Sequence, residues 1–310
     1  MSETTYVVSS SPHIRSKDTV QGVMRDVIIA LIPAALAGIY YFKMQALLIM
    51  VVSVLSAVGA EALWQKVRNE KITISDYSAA ITGLLLAFNL PPSVPLWLPV
   101  VGSAFAVIIV KQFFGGLGQN FMNPALAARA FLLISWPVLM TKWTVDGVAS
   151  ATALGIMKEG VGTLPSLWNL FIGNVGGCIG ETSVLALLIG GAYLVYRRVI
   201  SINTPLTYIG TVFILSWILG RNGLMTGVPL QEILAGGLML GAIFMATDYS
   251  SSPITPIGQI IMGVGCGLIT TLIRVYGGYP EGVSYSILLM NLFVPLIDRY
   301  ITPKAFGGVK

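Results

Sequence analysis

Long, continuous apolar runs follow one another along almost the whole of this 310-residue chain, with little polar sequence between them. Hydrophobic residues make up 55% of the chain and charged residues 10%, whereas a soluble domain carries roughly 25% charged residues. The runs do not alternate with a period of two, which excludes the strands of a membrane β-barrel. Because a bilayer core needs roughly 20 apolar residues per helix, the sequence predicts an all-α integral membrane protein with about ten transmembrane helices.

The apolar runs and the segments between them predict the organisation of the chain. We expect an N-terminal arm (1–22), a first membrane repeat (23–138), a connecting loop (139–165), a second membrane repeat (166–301) and a short tail (302–310). The predicted spans are 23–42, 45–63, 77–91, 96–114, 121–138, 178–196, 204–220, 230–247, 256–276 and 284–300.

A faint internal similarity suggests that the two membrane halves are repeats. Ser78–Leu90 can be aligned with Ser183–Val195, and the Asn123-Pro124 pair has a counterpart in Ser252-Pro253. Five helices per half is an odd number, so the halves would lie in the membrane with opposite orientation. Inverted repeats of this kind place ligand sites near the middle of the bilayer, often where helices are interrupted.

The distribution of Lys and Arg predicts the orientation of the chain. With the N-terminus in the cytoplasm, twelve basic residues lie on the inner side and five on the outer side. The inner residues are Arg15, Lys17, Arg25, Lys66, Arg68, Lys71, Lys111, Arg197, Arg198, Arg299, Lys304 and Lys310. The outer residues are Lys43, Lys142, Lys158, Arg221 and Arg274, and Arg129 falls within a span. We therefore expect both termini to lie in the cytoplasm. The net charge of +5 follows from the same bias and does not indicate nucleic-acid binding.

Several classes of function have no support in the sequence. Cys178 and Cys266 both fall in apolar segments, where a free cysteine behaves as a small hydrophobic residue. The one histidine, His13, lies in the N-terminal arm, and the chain has no CxxC cluster, Walker loop or Ser-His-Asp set. Metal-centre, hydrolase and nucleotidase interpretations therefore lack the residues that they need.

A glycine-rich turn interrupts the apolar sequence between Phe114 and Pro124. Pro124 suits the first position of a helix. The free backbone N–H groups at that helix start would face an anion or a carbonyl oxygen. Asn120 and Asn123 carry amides able to hydrogen-bond a planar heterocycle. Where the backbone is not helical at membrane depth, its N–H and C=O groups need hydrogen-bond partners from protein, ligand or water. The residues leave two interpretations open, a ligand site and a re-entrant turn capped by Asn123.

The small, polar stretch from Trp143 to Leu154 lies between two apolar runs, on the predicted outer side. It resembles the motif in which a dedicated transferase esterifies the phosphate of FMN to a threonine hydroxyl, with Thr152 as the acceptor. Ala149 stands where that motif usually has a hydroxyl residue. The alternative is an ordinary loop, because small residues commonly follow an Asp-Gly turn. The matching residues are Asp146, Gly147, Ser150, Ala151 and Thr152.

Acidic residues in or near the spans form a further set of candidates, because such groups are costly in a membrane and are usually functional. Asn291 and Asp298 are seven residues apart, which places them on nearly one face of a helix. Asp248 falls at a helix end, where a solvated cap is the alternative. The acidic candidates are Glu61, Asp76, Glu181, Asp248 and Asp298.

Four stretches in order resemble one family over nearly the whole chain. They resemble the D subunit of the Rnf electron-transport complex and its relative, the B subunit of the sodium-translocating NADH:quinone reductase, which typically has a longer N-terminal extension. The stretches are LPPSVPLW (Leu90–Trp97), FGGLGQNFMNPALAARAF (Phe114–Phe131), VDGVASAT (Val145–Thr152), and FMATDYSSSP with RVYGGYPEGVSYSILLMNLFVPLID (Phe244–Pro253, Arg274–Asp298).

This resemblance implies a flavoprotein subunit of the prokaryotic inner (cytoplasmic) membrane that works with other subunits of a complex. The complex would couple electron flow between ferredoxin and NAD to the translocation of Na⁺ or H⁺. Thr152 would hold FMN through a phosphoester. Asn120 and Asn123 match positions associated with a second, non-covalent flavin, riboflavin, in the related reductase. Asp248 and Asp298 match acidic positions implicated there in cation uptake.

Two other classes of function fit the same sequence. A cofactor-free secondary transporter or channel would also have inverted halves, broken helices and scattered acidic groups. A structural membrane scaffold within a larger complex would also lack extramembrane domains. Covalently bound flavin distinguishes the first interpretation from both alternatives. The chain offers no nucleotide site and no cysteine sets for iron–sulfur clusters, so we do not expect it to catalyse the overall reaction alone.

Overall fold

The computed structural model describes residues 19–145, 148–149, 152–160, 162–221 and 223–302 of the chain. The described residues are overwhelmingly helical, which confirms the all-α class. Strand structure among them consists of two hairpins of two-residue strands, β1 (Thr144–Val145) with β2 (Val148–Ala149), and β3 (Leu219–Gly220) with β4 (Gly223–Leu224).

Thirteen α-helices are present among the described residues, and some continue into π or 3₁₀ turns. The α-helices are α1 (Val20–Val67), α2 (Ser78–Phe88), α3 (Trp97–Ala104), α4 (Pro124–Ser135), α5 (Pro137–Met140), α6 (Ala153–Glu159), α7 (Leu167–Ile172), α8 (Val184–Tyr196), α9 (Asn203–Ile218), α10 (Pro229–Leu234), α11 (Leu238–Leu240), α12 (Pro256–Tyr276) and α13 (Val283–Tyr300). The π segments are Phe105–Lys111 and Gly241–Met245, and the 3₁₀ turns are Ile74–Asp76 and Gln112–Phe114.

Three helical stretches among the described residues are long and apolar enough to cross a bilayer, namely Val20–Val67, Trp97–Phe114 and Pro256–Tyr276. The first of them is two helices joined at Lys43, whose backbone has φ 58° and ψ −145°. A positive φ is uncommon for a residue with a side chain, and it breaks the helical path at that point. The break falls between the predicted spans 23–42 and 45–63, as the sequence indicated.

Several predicted spans are shorter than expected. The span 178–196 was predicted to begin too early, because its helix starts only at Val184. The residues before it form turns, and the backbone N–H groups of Ile179 and Gly180 donate to the carbonyl groups of Leu90 and Phe88, at 3.1 and 3.0 Å. This pairing satisfies the backbone beyond the end of α2, where no helix continues.

The predicted span 230–247 is likewise not one helix. It divides into α10, α11 and the second π segment, and Gly236 between α10 and α11 has φ 69°. The predicted span 121–138 is reduced to the twelve residues of α4, followed after Trp136 by the short α5. Hydropathy identified these runs as apolar, but it does not detect where their backbone stops being helical.

The two inverted repeats stay a prediction, and the third helical segment of each predicted half is short or broken. In the first half this segment is α2, and in the second half it is the α10–α11 region. The aligned residues Ser78–Leu90 and Ser183–Val195 instead pair α2 with α8, which is the first long helix of the second half. Matching the two halves by the order of their elements therefore pairs different segments from those that the residue alignment pairs.

Local signals at helix starts are confirmed. The side chain of Asn123 accepts from the backbone N–H groups of Ala125 and Leu126, at 3.1 and 3.2 Å, and Pro124 opens α4. Asparagine and proline are favoured at these two positions for this reason. The glycine-rich turn before them has positive φ at Gly115, Gly116 and Gly118.

Contacts between loops divide the described residues into two faces. On the first, which we call the Thr152 face, Ser93 donates to the carbonyl of Lys142 at 2.6 Å, and Lys158 donates to the carbonyl of Gly277 at 2.7 Å. On the opposite face Arg197 donates to Asp26 at 3.0 Å. These pairings agree with the predicted alternation of loops. Which face lies in the cytoplasm stays a prediction.

Candidate functional site

A cavity of about 650 Å³ opens on the Thr152 face, and we call it the Thr152 cavity. Its walls come from the loop that contains Thr152, from the segment before α8, from the α10–α11 connection and from the start of α13. Three aromatic residues line it, Trp143, Tyr279 and Tyr285. Its size lies within the range of about 300–1,000 Å³ that is usual for small-molecule sites.

Thr152 is half-buried on the wall of this cavity and is the N-cap residue of α6. Its Oγ1 accepts a hydrogen bond from the backbone N–H of Gly155 at 3.1 Å. Accepting this bond uses an oxygen lone pair, so the hydroxyl hydrogen stays available for replacement. The other residues of the predicted FMN motif, Asp146, Gly147, Ser150 and Ala151, lie outside the described residues.

An ion pair between the buried Arg129 and the partly buried Glu281 lines the cavity. The Arg129 guanidinium of α4 donates to Glu281 Oε2 and, at 2.7 Å, to Ser284 Oγ. The other Glu281 oxygen, Oε1, accepts from the backbone N–H of Gly237 at 2.9 Å. Burial raises the pKa of Glu281, but Arg129 and this N–H outweigh it, and the pKa lies below its usual range. Glu281 is therefore held as a carboxylate.

A second acidic side chain, Glu181, faces the same space. Its Oε1 accepts from the backbone N–H of Cys178 at 3.0 Å, whereas its buried Oε2 has no hydrogen-bond partner among the described residues. Gly237 lies between the two carboxyl groups. A Cβ atom placed there would be 2.7 Å from Glu181 Oε2 and 2.8 Å from Glu281 Oε1. The glycine thus allows the two acidic groups to approach each other.

The hydrogen bonds of Arg129 continue from the cavity into a polar network at the ends of the broken helices. Arg129 also donates to Asn89 Oδ1 at 3.3 Å, just beyond the end of α2. The Asn89 amide contacts Met245 Sδ at 3.6 Å, and the Asn123 amide donates to the Met245 carbonyl at 3.3 Å. The buried ends of α2, α4 and the second π segment therefore meet through side-chain amides, as expected for interrupted helices.

The structure brings Asn120 to Asp248 and places Asp298 apart from them. Asp248 accepts from Ser251 Oγ at 2.8 Å and from the side chain of Asn120. Asp298 accepts from the backbone N–H of Ile254 at 3.3 Å. The two predicted ion-pathway residues thus contact the same 248–254 segment at separate points, and Asn123 faces Met245 rather than Asp248.

Sequence reasoning did not assign a role to Arg129 or Glu281. Arg129 was visible as a cation inside a predicted span, and such a residue is expected to face a partner within the protein. The partner itself could not be read from the sequence, because Glu281 is 152 residues away. Cys178 and Cys266 are buried and free, as predicted.

The fold defines a multi-pass helical membrane protein, with a cavity that polar groups at helix breaks help to line. Residues 7–307 match the model of the NQR2, RnfD, RnfE family. The chain belongs to this family, which confirms the resemblance drawn from its motifs.

Named relatives cover the chain almost end to end. The D subunit of the Na⁺-translocating ferredoxin:NAD⁺ oxidoreductase complex of Acetobacterium woodii is 53% identical, over 100% of this chain and 98% of the relative. The D subunit of the proton-translocating ferredoxin:NAD⁺ oxidoreductase complex of Clostridium ljungdahlii is 46% identical, over 97% and 96%. The D subunit of the ion-translocating oxidoreductase complex of Shewanella amazonensis is 36% identical, over 97% and 98%.

Proposed function

We propose that this chain is a membrane subunit of an ion-translocating ferredoxin:NAD⁺ oxidoreductase complex and carries FMN esterified to Thr152. The names of the relatives support the first part of the proposal. The observation that carries the second is the position of Thr152, which lines a cavity of about 650 Å³ together with three aromatic residues. When bound, FMN would supply the electron-transfer chemistry that no side chain provides.

The residues of the cavity fit such a group. The rings of Trp143, Tyr279 and Tyr285 offer apolar and aromatic surface to a planar heterocycle. Lys142, which also lines the cavity, offers a positive charge for the phosphodiester. The phosphoester would retain the cofactor on the predicted outer face of the membrane, where no pool of flavin would replace a lost one.

The proposal also covers the translocated ion, the path that it takes and a second flavin site. One relative is named for Na⁺ and another for protons, so the relatives do not decide the ion. We keep Asp248 and Asp298 as candidates for its path, and Asn120 and Asn123 as candidates for a riboflavin site. The other subunits of the complex would supply and accept the electrons. Both termini would lie in the cytoplasm.

Peptide mass spectrometry across residue 152 tests the FMN ester. The protein would be purified from its native host, or from a host shown to flavinylate another protein at threonine. We expect a mass gain equal to FMN less one water, together with flavin fluorescence of the denatured band. Thr152→Ala should lose both signals, while the matched control Thr141→Ala, on the wall of the same cavity, should retain them.

An unmodified peptide at residue 152 in such a host would contradict the proposal. The broken helices and the buried polar network would then be explained better by a cofactor-free transporter. Modification that persists in Thr152→Ala would show instead that another hydroxyl carries the group.

A further inference from the structure

The Thr152 cavity contains one carboxyl group whose hydrogen bonding is incomplete. Glu181 is 4% exposed, and its Oε2 has no partner among the described residues. A buried carboxylate normally accepts hydrogen bonds on both oxygens, because an unpaired buried charge is costly. Glu281, by comparison, has both oxygens occupied, by Arg129 and by the Gly237 N–H.

The charged groups around Glu181 do not supply a cation of its own. Arg129 of α4 interacts with Glu181 electrostatically, but its hydrogen bonds go to Glu281, Ser284 and Asn89. The neighbouring segment adds the Cys178 thiol, and α12 adds Arg274, which is bonded to Glu232. The other ionisable residues that line the cavity are Lys142, Glu159, Tyr279 and Tyr285.

We propose that Glu181 is the proton-holding residue of the Thr152 cavity, taking up one proton at Oε2 when an electron enters the cavity. This inference rests on the proposed function, since the electron would reside on the flavin. The electron comes from a reduced partner subunit and the proton from water at the open mouth of the cavity. No other bond is made or broken at Glu181, which changes from carboxylate to carboxylic acid.

The physical reason is charge balance at a buried position. An added electron near two ionised carboxylates raises the energy of both, since like charges disfavour each other's ionised form. Glu281 is held ionised by Arg129, so Glu181 is the group that can respond. Protonation would also give Oε2 an O–H donor in place of an unpaired acceptor.

Redox-difference infrared spectroscopy of the intact flavinylated protein tests this assignment. Reduction would be carried out at an electrode, and the C=O stretch of a protonated carboxyl, identified by its shift in D₂O, would be the signal. We expect the wild type to gain this band on reduction and Glu181→Gln to lack it. Gln keeps an oxygen that can accept the Cys178 N–H, so the variant removes the proton site with little change in shape.

Glu159→Gln is the matched control, because Glu159 lines the same cavity but is exposed to solvent, and the band should persist in it. In weakly buffered solution a pH indicator should report proton uptake on reduction of the wild type and less uptake in Glu181→Gln. If Glu181→Gln does not assemble, Glu181→Asp, which keeps a carboxyl group, takes its place: the band should change frequency, and an unchanged band would overturn the assignment.

The experiment distinguishes failure of the Glu181 assignment from failure of the proposed function. Flavin that is reduced without a carboxyl band, or a band that persists in Glu181→Gln, would overturn the role of Glu181 and leave the proposed function intact. A protein without any flavin absorbance, prepared in a flavinylating host, would overturn the proposed function and this inference together.

Discussion

The buried ion pair between Glu61 and Lys111 is the feature whose loss should be most costly. Lys111 Nζ lies 2.7 Å from Glu61 Oε1, and the two side chains are 3% and 1% exposed. Glu61 Oε1 also accepts from Gln112 at 2.6 Å, and Lys111 donates to Ser78 Oγ at 2.6 Å. Glu61 Oε2 has no partner among the described residues, so the carboxylate depends on these two donors.

Removing the cation alone should therefore leave a buried charge with one neutral donor. We expect Lys111→Met to lower the free energy of unfolding by about 3–5 kcal/mol, the usual cost of breaking a buried pair from one side. At roughly 2–4 °C per kcal/mol, the melting temperature in detergent should fall by on the order of 10 °C. Changing both partners, Glu61→Gln with Lys111→Met, should recover most of this loss, because no unpaired charge remains.

Thermal unfolding of the purified protein, followed by circular dichroism in one detergent, measures these effects. The control is the pair Arg68–Glu70, which has a similar N–O distance of 2.9 Å but side chains 58% and 47% exposed. Arg68→Met should change the free energy of unfolding by less than about 1 kcal/mol. Equal stability of Lys111→Met and the wild type, or a double variant no more stable than Lys111→Met, would refute the reasoning.

Two further predictions follow from packing and from burial. A Cβ atom at Gly190 of α8 would lie 2.0 Å from the Ala30 carbonyl oxygen, so Gly190→Ala should lower the free energy of unfolding by about 1–3 kcal/mol in thermal melts. The control is Gly210→Ala, where an added Cβ would have no atom within 4 Å and should cost nothing. Equal effects of the two substitutions would contradict this packing. Burial raises the pKa of Asp248, against the opposing bond from Ser251. The folded state then binds the proton more tightly than the unfolded state, so stability should rise as the pH falls from neutral toward the ordinary Asp value of about 3.9. Asp248→Asn should lose that slope, and an unchanged slope in parallel melts would show that another group causes it.

Features that depend on neighbouring residues were readable from the sequence. The apolar runs predicted the all-α membrane class, because a bilayer leaves a continuous apolar segment few alternatives to a helix. The break at Lys43 fell between two predicted spans, and Asn123 with Pro124 marked the start of α4. These signals act within one span or one helical turn, so no distant residue is needed to interpret them.

The lengths of the short helices could not be read in the same way. The predicted span 178–196 includes residues that form turns before Val184, where the N–H groups of Ile179 and Gly180 find carbonyl partners at the end of α2. Gly236 similarly divides a run that hydropathy treats as continuous. Backbone partners from elsewhere in the chain replaced the helical bonds that the local sequence would otherwise have formed.

The sequence by itself determined that this chain lies in a membrane, that it belongs among the proteins its motifs resemble, and that Thr152 is the residue to examine. Only the tertiary structure decided what surrounds Thr152. Arg129 and Glu281 are brought together across 152 residues, and Glu181 comes to face them across Gly237. A charge buried in a membrane protein pairs with whichever residue the fold brings next to it, and the sequence does not show which distant residue that is.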